Sequence, residues 1–254
     1  MCELFGFCAK SKSDIAPALR SFFSHGASNP NGWGLALDAE DNVKLVLEAA
    51  DSSKSPTPAR LLAKPVLQKF ALAHLRRATV GAMTLPNCHP VYREDASGRG
   101  WMLMHNGTVF SGLSTDRYAG RAAGSTDSEC ILLELIDRLN RAPAAGGALS
   151  PPERFRIVEE LILELAPRNK LNLLLSDGEL LYVHMNMRDT LYSRPLGDGR
   201  LFATVPLDGS AWEVVPLSTV LAYRDGQLLY RGRRHPHEYV NTITTAAGPL
   251  DYVL

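Results

Sequence analysis

The sequence predicts an α+β fold in which strands come first, helices lie in the middle and strands return. The first third carries short apolar runs bounded by turn residues, which are typical of strands. Between residues 126 and 165, apolar residues recur at the 3.6-residue period of amphipathic helices. From Leu171 onward, Asp-Gly pairs separate apolar runs, which predicts β-hairpins.

The N-terminal half alternates strand-like and helix-like segments. The predicted elements are, in order, a strand Cys2–Ala9, a helix Ile15–Phe23, strands Gly34–Leu37 and Val43–Ala49, a helix Thr57–Gln68 that is kinked or split at Pro65, and a strand that starts at Phe70.

The C-terminal half begins with two helices, Thr126–Arg141 and about Glu153–Leu165, whose apolar stripes are expected to be core. Two hairpins follow. Their strands are Leu171–Leu175 with Leu180–His184, and Thr219–Tyr223 with Gln227–Arg231. We expect a single domain over residues 1–254, in which 233–254 forms an irregular C-terminal extension.

Charge and hydropathy exclude several classes of protein. The 27 basic residues balance 27 acidic ones without a basic run, so a nucleic-acid or acidic-membrane partner is not expected. No apolar run reaches the roughly 18–20 residues that span a bilayer. The start of the chain lacks a basic segment followed by a cleavage site, so we expect a cytoplasmic protein.

The four cysteines show no C-x-x-C spacing, so neither a zinc site nor a disulfide framework is predicted. We expect no metal and no cofactor. Cys8 and Cys130 lie in apolar patterns and are interpreted as small buried hydrophobes. Cys88, next to His89, is a weaker rival to Cys2 as a nucleophile, since it lacks an oxyanion donor of its own nearby.

Cys2 directly follows Met1, so removal of the methionine would make the cysteine the first residue of the chain. An N-terminal cysteine carries a thiol and a free α-amine, with reference pKa values of about 8.5 and about 7.7–8.0. The amine could therefore take the proton of the thiol, directly or through one water, and activate it as a nucleophile. The apolar run from Leu4 to Phe7 leaves the alternative of a buried first strand that simply begins with cysteine.

Three further motifs support a nucleophilic Cys2. The chain reads His-x-Arg-x-Ala-Thr-x-Gly at 74–81, His-Asn-Gly at 105–107 and Thr-Asp-x-Glu at 126–129. With Cys2, this ordered set resembles the class II glutamine amidotransferases of the N-terminal-nucleophile hydrolase superfamily. The first six residues and the turn at 31–34 resemble its stand-alone YafJ-like subgroup.

The resemblance implies a four-layer αββα sandwich and an attack on the side-chain amide of glutamine. Cys2 would form a γ-glutamyl thioester with loss of ammonia. Asn106 and Gly107 would supply a side-chain NH₂ and a backbone N–H to the developing oxyanion. Asn-Gly is also the commonest two-residue hairpin signal, and a rigid hairpin would be compatible with both interpretations.

A zwitterionic amino acid needs one cationic and one anionic anchor. Arg76 would hold the substrate α-carboxylate with two parallel N–H···O bonds, although a surface salt bridge is the alternative. Asp127 would accept the α-ammonium group. Its alternative is a helix-start acid, because Thr126 and Glu129 have the form of a capping box.

Thr79 begins a segment, Thr79–Pro86, that looks like a loop able to cover bound substrate, as the resemblance implies. Trp33 and Gly34 would form a wall and a backbone contact for the substrate, and a buried tryptophan at a strand start is the alternative. His74 and His89 are expected to pack and to order neighbouring segments.

The function predicted is a class II glutamine amidotransferase or glutaminase. Alternatives are a hydrolase of a γ-glutamyl amide conjugate and a non-catalytic subunit that binds an amino acid. For the glutamine amidotransferase, a separate synthetase that accepts ammonia is a candidate partner.

Overall fold

The computed structural model describes residues 2–39, 42–79, 81–142, 148–245 and 248–251. Its strands form a seven-stranded sheet, a six-stranded sheet and a separate two-stranded hairpin, and all neighbouring strands run antiparallel. Within the described residues, no helix is long and apolar enough to cross a membrane.

The first sheet has the order β11-β9-β10-β1-β4-β2-β3. Its strands are β1 (Glu3–Asp14), β2 (Trp33–Ala39), β3 (Asn42–Glu48), β4 (Leu67–Leu75), β9 (Tyr192–Leu196), β10 (Gly199–Ala203) and β11 (Glu213–Val214). Two helices precede β2 and β4 along the chain, namely α1 (Ala16–Phe23) and α2 (Pro56–Leu61).

The second sheet has the order β13-β12-β8-β7-β6-β5. Its strands are β5 (Val91–Glu94), β6 (Gly100–Thr108), β7 (Lys170–Ser176), β8 (Leu181–His184), β12 (Leu221–Arg224) and β13 (Gln227–Arg231). Helices α3 (Asp127–Arg141) and α4 (Pro151–Leu165) connect β6 to β7, and the hairpin consists of β14 (Thr242–Thr245) and β15 (Gly248–Asp251).

Consecutive residues of the central strands belong to different hydrophobic cores, and this defines the layers. On β1, Phe5 packs with residues of α1, whereas Leu4 packs with the second sheet. On β7, Leu173 packs with α3 and α4, whereas Leu174 packs with the first sheet. Because side chains alternate between the faces of a strand, each sheet has one helix-covered face and one face against the other sheet. The predicted αββα sandwich is confirmed.

Helix α3 agrees with its prediction. The Thr126 hydroxyl accepts a hydrogen bond from the Glu129 N–H at 3.3 Å, which caps the helix. The Glu129 carboxylate does not complete a capping box but accepts the N–H groups of Ala123 and Gly124, both at 2.8 Å. The first turn of α3 is thereby fixed to the loop in front of it.

Two predicted segments were wrong in part. The helix expected over Thr57–Gln68 ends at Leu61, and β4 begins at Leu67. Pro65 lacks an N–H and disfavours helical geometry at the residue before it, so a helix cannot continue through this position to Gln68. Part of the extension 233–254 is not irregular, because the β-branched run in β14 pairs with β15. Residues 246–247 and 252–254 lie outside the described ranges.

Gly34, which was predicted to give the substrate a backbone contact, lies against the backbone of His89 in this structure. A Cβ atom at this position would lie 2.2 Å from the His89 carbonyl oxygen and 2.4 Å from a methyl group of Leu47. The His89 carbonyl is backbone and cannot swing away, so only glycine allows this close approach.

We expect Gly34→Ala to lower the free energy of unfolding by about 1–3 kcal/mol, because it overpacks a closely fitted site. Urea unfolding followed by circular dichroism measures the change. Gly120→Ala is the matched control, since a Cβ atom there would meet nothing within 4 Å. Equal unfolding midpoints for the two variants would contradict the packing role of Gly34.

Candidate active site

Cys2 lies immediately before β1, a strand flanked by β10 and β4 in the first sheet. Its Sγ atom accepts the Arg77 N–H at 3.3 Å and lies 3.4 Å from the Arg77 carbonyl oxygen. Burial raises the pKa of the thiol, and the Arg77 N–H and the positive charges of Arg76 and Lys170 oppose this shift. The thiol therefore needs a base to become a nucleophile near neutral pH.

The second sheet brings Asn106 and Gly107 to the same place. Both residues belong to β6 and line a cavity of about 180 Å³ together with Cys2. Asn106 is 2% exposed, and its Nδ2 atom has no hydrogen-bond partner among the described residues. The remaining lining residues are Arg77, Thr79, Thr108, Lys170, Met187, Tyr239 and Asn241.

Asn106 and Gly107 do not form the hairpin turn that their sequence suggested. They continue β6 and pair with Asn172 and Leu171 of β7. A Cβ atom at Gly107 would lie 1.9 Å from the Lys170 carbonyl oxygen, so a close approach of backbone, not a turn, requires glycine here. The Asn-Gly signal was misleading because pairing across the sheet overrides local turn preference.

Thr79 lies at the cavity, as predicted for a substrate contact. Its hydroxyl is 3.5 Å from that of Thr108 at the end of β6. Of the segment Thr79–Pro86, Thr79 lines the cavity, and residue 80 lies outside the described ranges. Gly81, which lies in this segment, has a φ of 80°, which favours glycine.

Arg76 is not among the residues that line the cavity. The residue is 3% exposed, and its guanidinium donates to the carbonyl oxygens of Gly81 at 3.0 Å, Ala82 at 3.1 Å and Asn31 at 3.3 Å. The interaction with the loop was not expected from the sequence. Arg76 directly follows β4 and therefore ties the segment Thr79–Pro86 to the end of that strand.

Asp127 lies at the start of α3 with both carboxylate oxygens engaged by backbone. Oδ2 accepts the Val109 N–H at 2.7 Å, and Oδ1 accepts the Ser128 N–H at 2.9 Å. The Ser128 hydroxyl is 3.1 Å from His105 Nδ1. Asp127 thus fixes the end of β6, next to Asn106 and Gly107, to the helix.

Trp33 has no exposed surface, so in this structure it cannot form the predicted wall for a substrate. Its indole N–H donates to Glu48 at 3.2 Å, and its ring packs edge-on against Phe23. The alternative interpretation, a buried tryptophan at a strand start, is the one that the structure supports. Burial of the large apolar indole ring in the core stabilises the fold more than its placement at a polar pocket would.

His74 and His89 pack against each other, with ring centroids 4.6 Å apart. Burial lowers the pKa of His74 to about 3 and that of His89 well below its ordinary value. Both rings are therefore neutral near pH 7 and serve packing. Cys88 is buried, with its thiol 3.3 Å from the Glu48 carbonyl, and burial raises its pKa.

The other two cysteines behave as predicted. Cys8 and Cys130 are buried, and burial raises their pKa values to about 12 and about 11. In the parts of the chain that the structure describes, no three His, Cys, Asp or Glu side chains form a metal-binding group.

Sequence reasoning missed the residues that the second half of the chain brings to the cavity. Lys170 precedes an apolar strand, a position where a lysine is ordinarily solvated, and here it is 6% exposed. Met187, Tyr239 and Asn241 come from segments without strand or helix. The Tyr239 N–H donates to the Asn186 carbonyl at 2.6 Å, which fixes this part of the C-terminal segment against the site.

The sequence matches one family model and is similar to several known proteins. The model of a family described as class II glutamine amidotransferases matches residues 1–198. The YafJ protein of Escherichia coli is 31% identical over 208 residues, covering 78% of each chain. A protein of Methanocaldococcus jannaschii is 25% identical over 92% of this chain and 72% of its own.

Solved structures show the same fold. A predicted glutamine amidotransferase from Pseudomonas aeruginosa superposes with a TM-score of 0.64 at 21% identity, covering 90% of this chain and all of its own. The glutamine phosphoribosylpyrophosphate amidotransferase of Bacillus subtilis superposes with a TM-score of 0.67 at 14% identity, covering 94% of this chain and half of its own. On the family match and the similarity to YafJ, the chain belongs to the class II glutamine amidotransferases.

Proposed function

We propose that this protein hydrolyses the side-chain amide of glutamine to glutamate and ammonia, with Cys2 as the nucleophile. One observation carries the proposal. The Cys2 thiol and the Asn106 amide, whose Nδ2 has no partner among the described residues, line one cavity although they come from different sheets. A buried donor without a partner costs roughly 1–3 kcal/mol, so its presence beside a thiol favours a role in catalysis.

The reaction begins when Cys2 Sγ attacks the δ-carbonyl carbon of glutamine and the carbonyl oxygen becomes an oxyanion. Asn106 Nδ2 and the Gly107 N–H stabilise that oxyanion. The thiol proton passes through the α-amine of Cys2 to the departing nitrogen, so that ammonia leaves and a γ-glutamyl thioester remains. A water molecule then attacks the thioester, which releases glutamate and restores the thiol.

Removal of Met1 is a requirement of this mechanism. While Met1 is attached, the nitrogen of Cys2 is an amide and has no basic lone pair. Burial also raises the pKa of the thiol, so the fraction of thiolate at pH 7 is below that of an ordinary cysteine. The free α-amine supplies the base that this thiol otherwise lacks.

The substrate head group would exchange partners with the protein. The α-carboxylate would take the guanidinium donors of Arg76 that now serve the carbonyls of Gly81 and Ala82, as the loop moves. The α-ammonium group would approach Asp127. A carboxylate oxygen has two acceptor sites. Asp127 Oδ1 accepts the N–H and the hydroxyl of Ser128, whereas Oδ2 accepts the Val109 N–H, so acceptor capacity remains at Oδ2.

A γ-glutamyl amide with a larger amine is a second candidate substrate. The Tyr239 ring, at the cavity, stacks on Phe110 with centroids 6.3 Å apart and planes at 9°. Phe110 is 64% exposed. An aromatic pair of this kind offers an apolar surface to a leaving group larger than ammonia. For glutamine itself, the ammonia would be released or passed to a separate synthetase.

We expect Cys2→Ala to reduce ammonia release from glutamine to the buffer background, because the nucleophile is removed. Ammonia and glutamate are quantified together with processed protein, using glutamine and a series of γ-glutamyl amides. Cys88→Ala is the matched control and should keep wild-type rates, since Cys88 is buried away from the cavity.

If Cys88→Ala loses activity and Cys2→Ala does not, the nucleophile is Cys88 and not Cys2. A wild-type protein that binds glutamine without releasing ammonia would support the non-catalytic binding subunit instead.

Protein that retains Met1 should be inactive, and activity should rise in proportion to the fraction that has lost it. Intact-mass spectrometry measures this fraction in samples treated for different times with methionine aminopeptidase. Activity that is independent of the processed fraction would mean that the base is a group other than the α-amine.

We expect Arg76→Ala to weaken transition-state binding of glutamine by about 2–5 kcal/mol, because the carboxylate would lose a desolvated partner. The penalty should disappear with 4-aminobutanamide, a substrate analogue that lacks the α-carboxylate. kcat/KM for both compounds gives the comparison, with the exposed Arg231→Ala as control. An equal penalty on both compounds would mean that Arg76 does not bind the α-carboxylate and acts only through its contact with the loop.

A further inference from the structure

Lys170 is the one titratable side chain from the second sheet among the residues that line the cavity. It opens β7, is 6% exposed, and its Nζ atom lies 3.5 Å from Asn106 Oδ1. The distance is long for a hydrogen bond, but the ammonium charge faces the negative end of the amide dipole.

The contact selects one orientation of the Asn106 amide. An ammonium group has donors only, so it attracts the carbonyl oxygen and repels the NH₂ group. With Oδ1 held towards Lys170, Nδ2 forms the other end of the amide, and this is the atom without a partner among the described residues. Rotation by 180° would place NH₂ against ammonium and would bring a carbonyl oxygen to the position of the donor.

The strands hold the two residues in register. Thr108 of β6 lies opposite Lys170, and Asn106 lies opposite Asn172. Residues two apart share a face of a strand, so Lys170 and Asn106 project from the same face as diagonal neighbours. The Lys170 carbonyl also lies 2.9 Å from His105 Nε2, which fixes its backbone.

We propose that Lys170 is a positioning residue for the oxyanion site, whose ammonium group holds Asn106 Oδ1 so that the Asn106 NH₂ is presented to the developing oxyanion. This role rests on the proposed amide hydrolysis. Lys170 donates no hydrogen bond to the substrate in this scheme and acts through Asn106.

The charge of Lys170 supports this assignment. Burial lowers its pKa to about 8, and the neighbouring Cys2 opposes the shift. The side chain is therefore still mainly protonated at pH 7, and the positive charge that orients the amide is present. The same charge opposes the burial shift of the Cys2 thiol.

The test is a double-mutant cycle between Lys170→Met and Asn106→Ala. In the wild-type background, Lys170→Met should lower kcat for glutamine about 10–100-fold, up to the loss expected for one oxyanion donor, and change KM less than about threefold. In the Asn106→Ala background, the same substitution should change kcat less than about threefold, because the group through which it acts is gone.

Lys69→Met is the matched control, since Lys69 is an exposed lysine on strand β4 and should keep wild-type kcat. Lys170→Gln retains a donor for Asn106 Oδ1 and should recover part of the rate lost in Lys170→Met. It replaces the methionine variant in the cycle if circular dichroism shows that the methionine variant does not fold. Multiplicative losses in the cycle, or an unchanged kcat, would overturn the inference.

A readout without turnover separates this inference from the proposed function. In ¹⁵N-edited NMR spectra, the side-chain amide signals of Asn106 are identified by their loss in Asn106→Ala. They should shift in Lys170→Met and stay in place in Lys69→Met. Unmoved signals would overturn the positioning role. Wild-type protein that releases no ammonia, while the signals shift, would overturn the proposed hydrolysis alone.

Discussion

The site depends on the packing of two sheets face to face. Cys2 comes from the first sheet and Asn106 from the second, and the apolar core between the sheets, which includes Leu4 and Leu174, holds their strands against each other. Because side chains alternate along a strand, a slip of one residue in β1 would move Leu4 out of this core. The hydrophobic pattern that stabilises the fold therefore also sets the distance between Cys2 and Asn106.

Close approach of backbone to backbone is the second constraint, and glycine provides it at two places. At Gly34 the neighbour is the His89 carbonyl, and at Gly107 it is the Lys170 carbonyl. The first contact holds the backbone at His89 against β2. The second brings β7 so near to β6 that the lysine side chain reaches Asn106. Both glycines thus act on the site through packing, without contact to a ligand being required.

The sequence predicted the elements whose signals are local and periodic. Helix α3 and the hairpins of the second half agree with their patterns because packing and periodicity point the same way. The sequence-based prediction was wrong where pairing with a distant strand determines the structure. Asn106 and Gly107 look like a turn but pair with β7. For Trp33 the sequence left two interpretations open, and the role of Lys170 was not predicted at all, since burial of an indole or an ammonium depends on residues far away in the chain.

The charged groups that would bind substrate are already paired in the free protein. Arg76 donates to loop carbonyls and Asp127 accepts backbone N–H groups, so neither charge is buried without compensation. Binding of a zwitterion would exchange carbonyl acceptors for a carboxylate at Arg76, and add an ammonium at Asp127. A ligand with only one of the two charges gains from only one exchange and still has to move the loop. In the proposed binding mode, this arrangement would favour a whole amino acid head group without a large affinity for it.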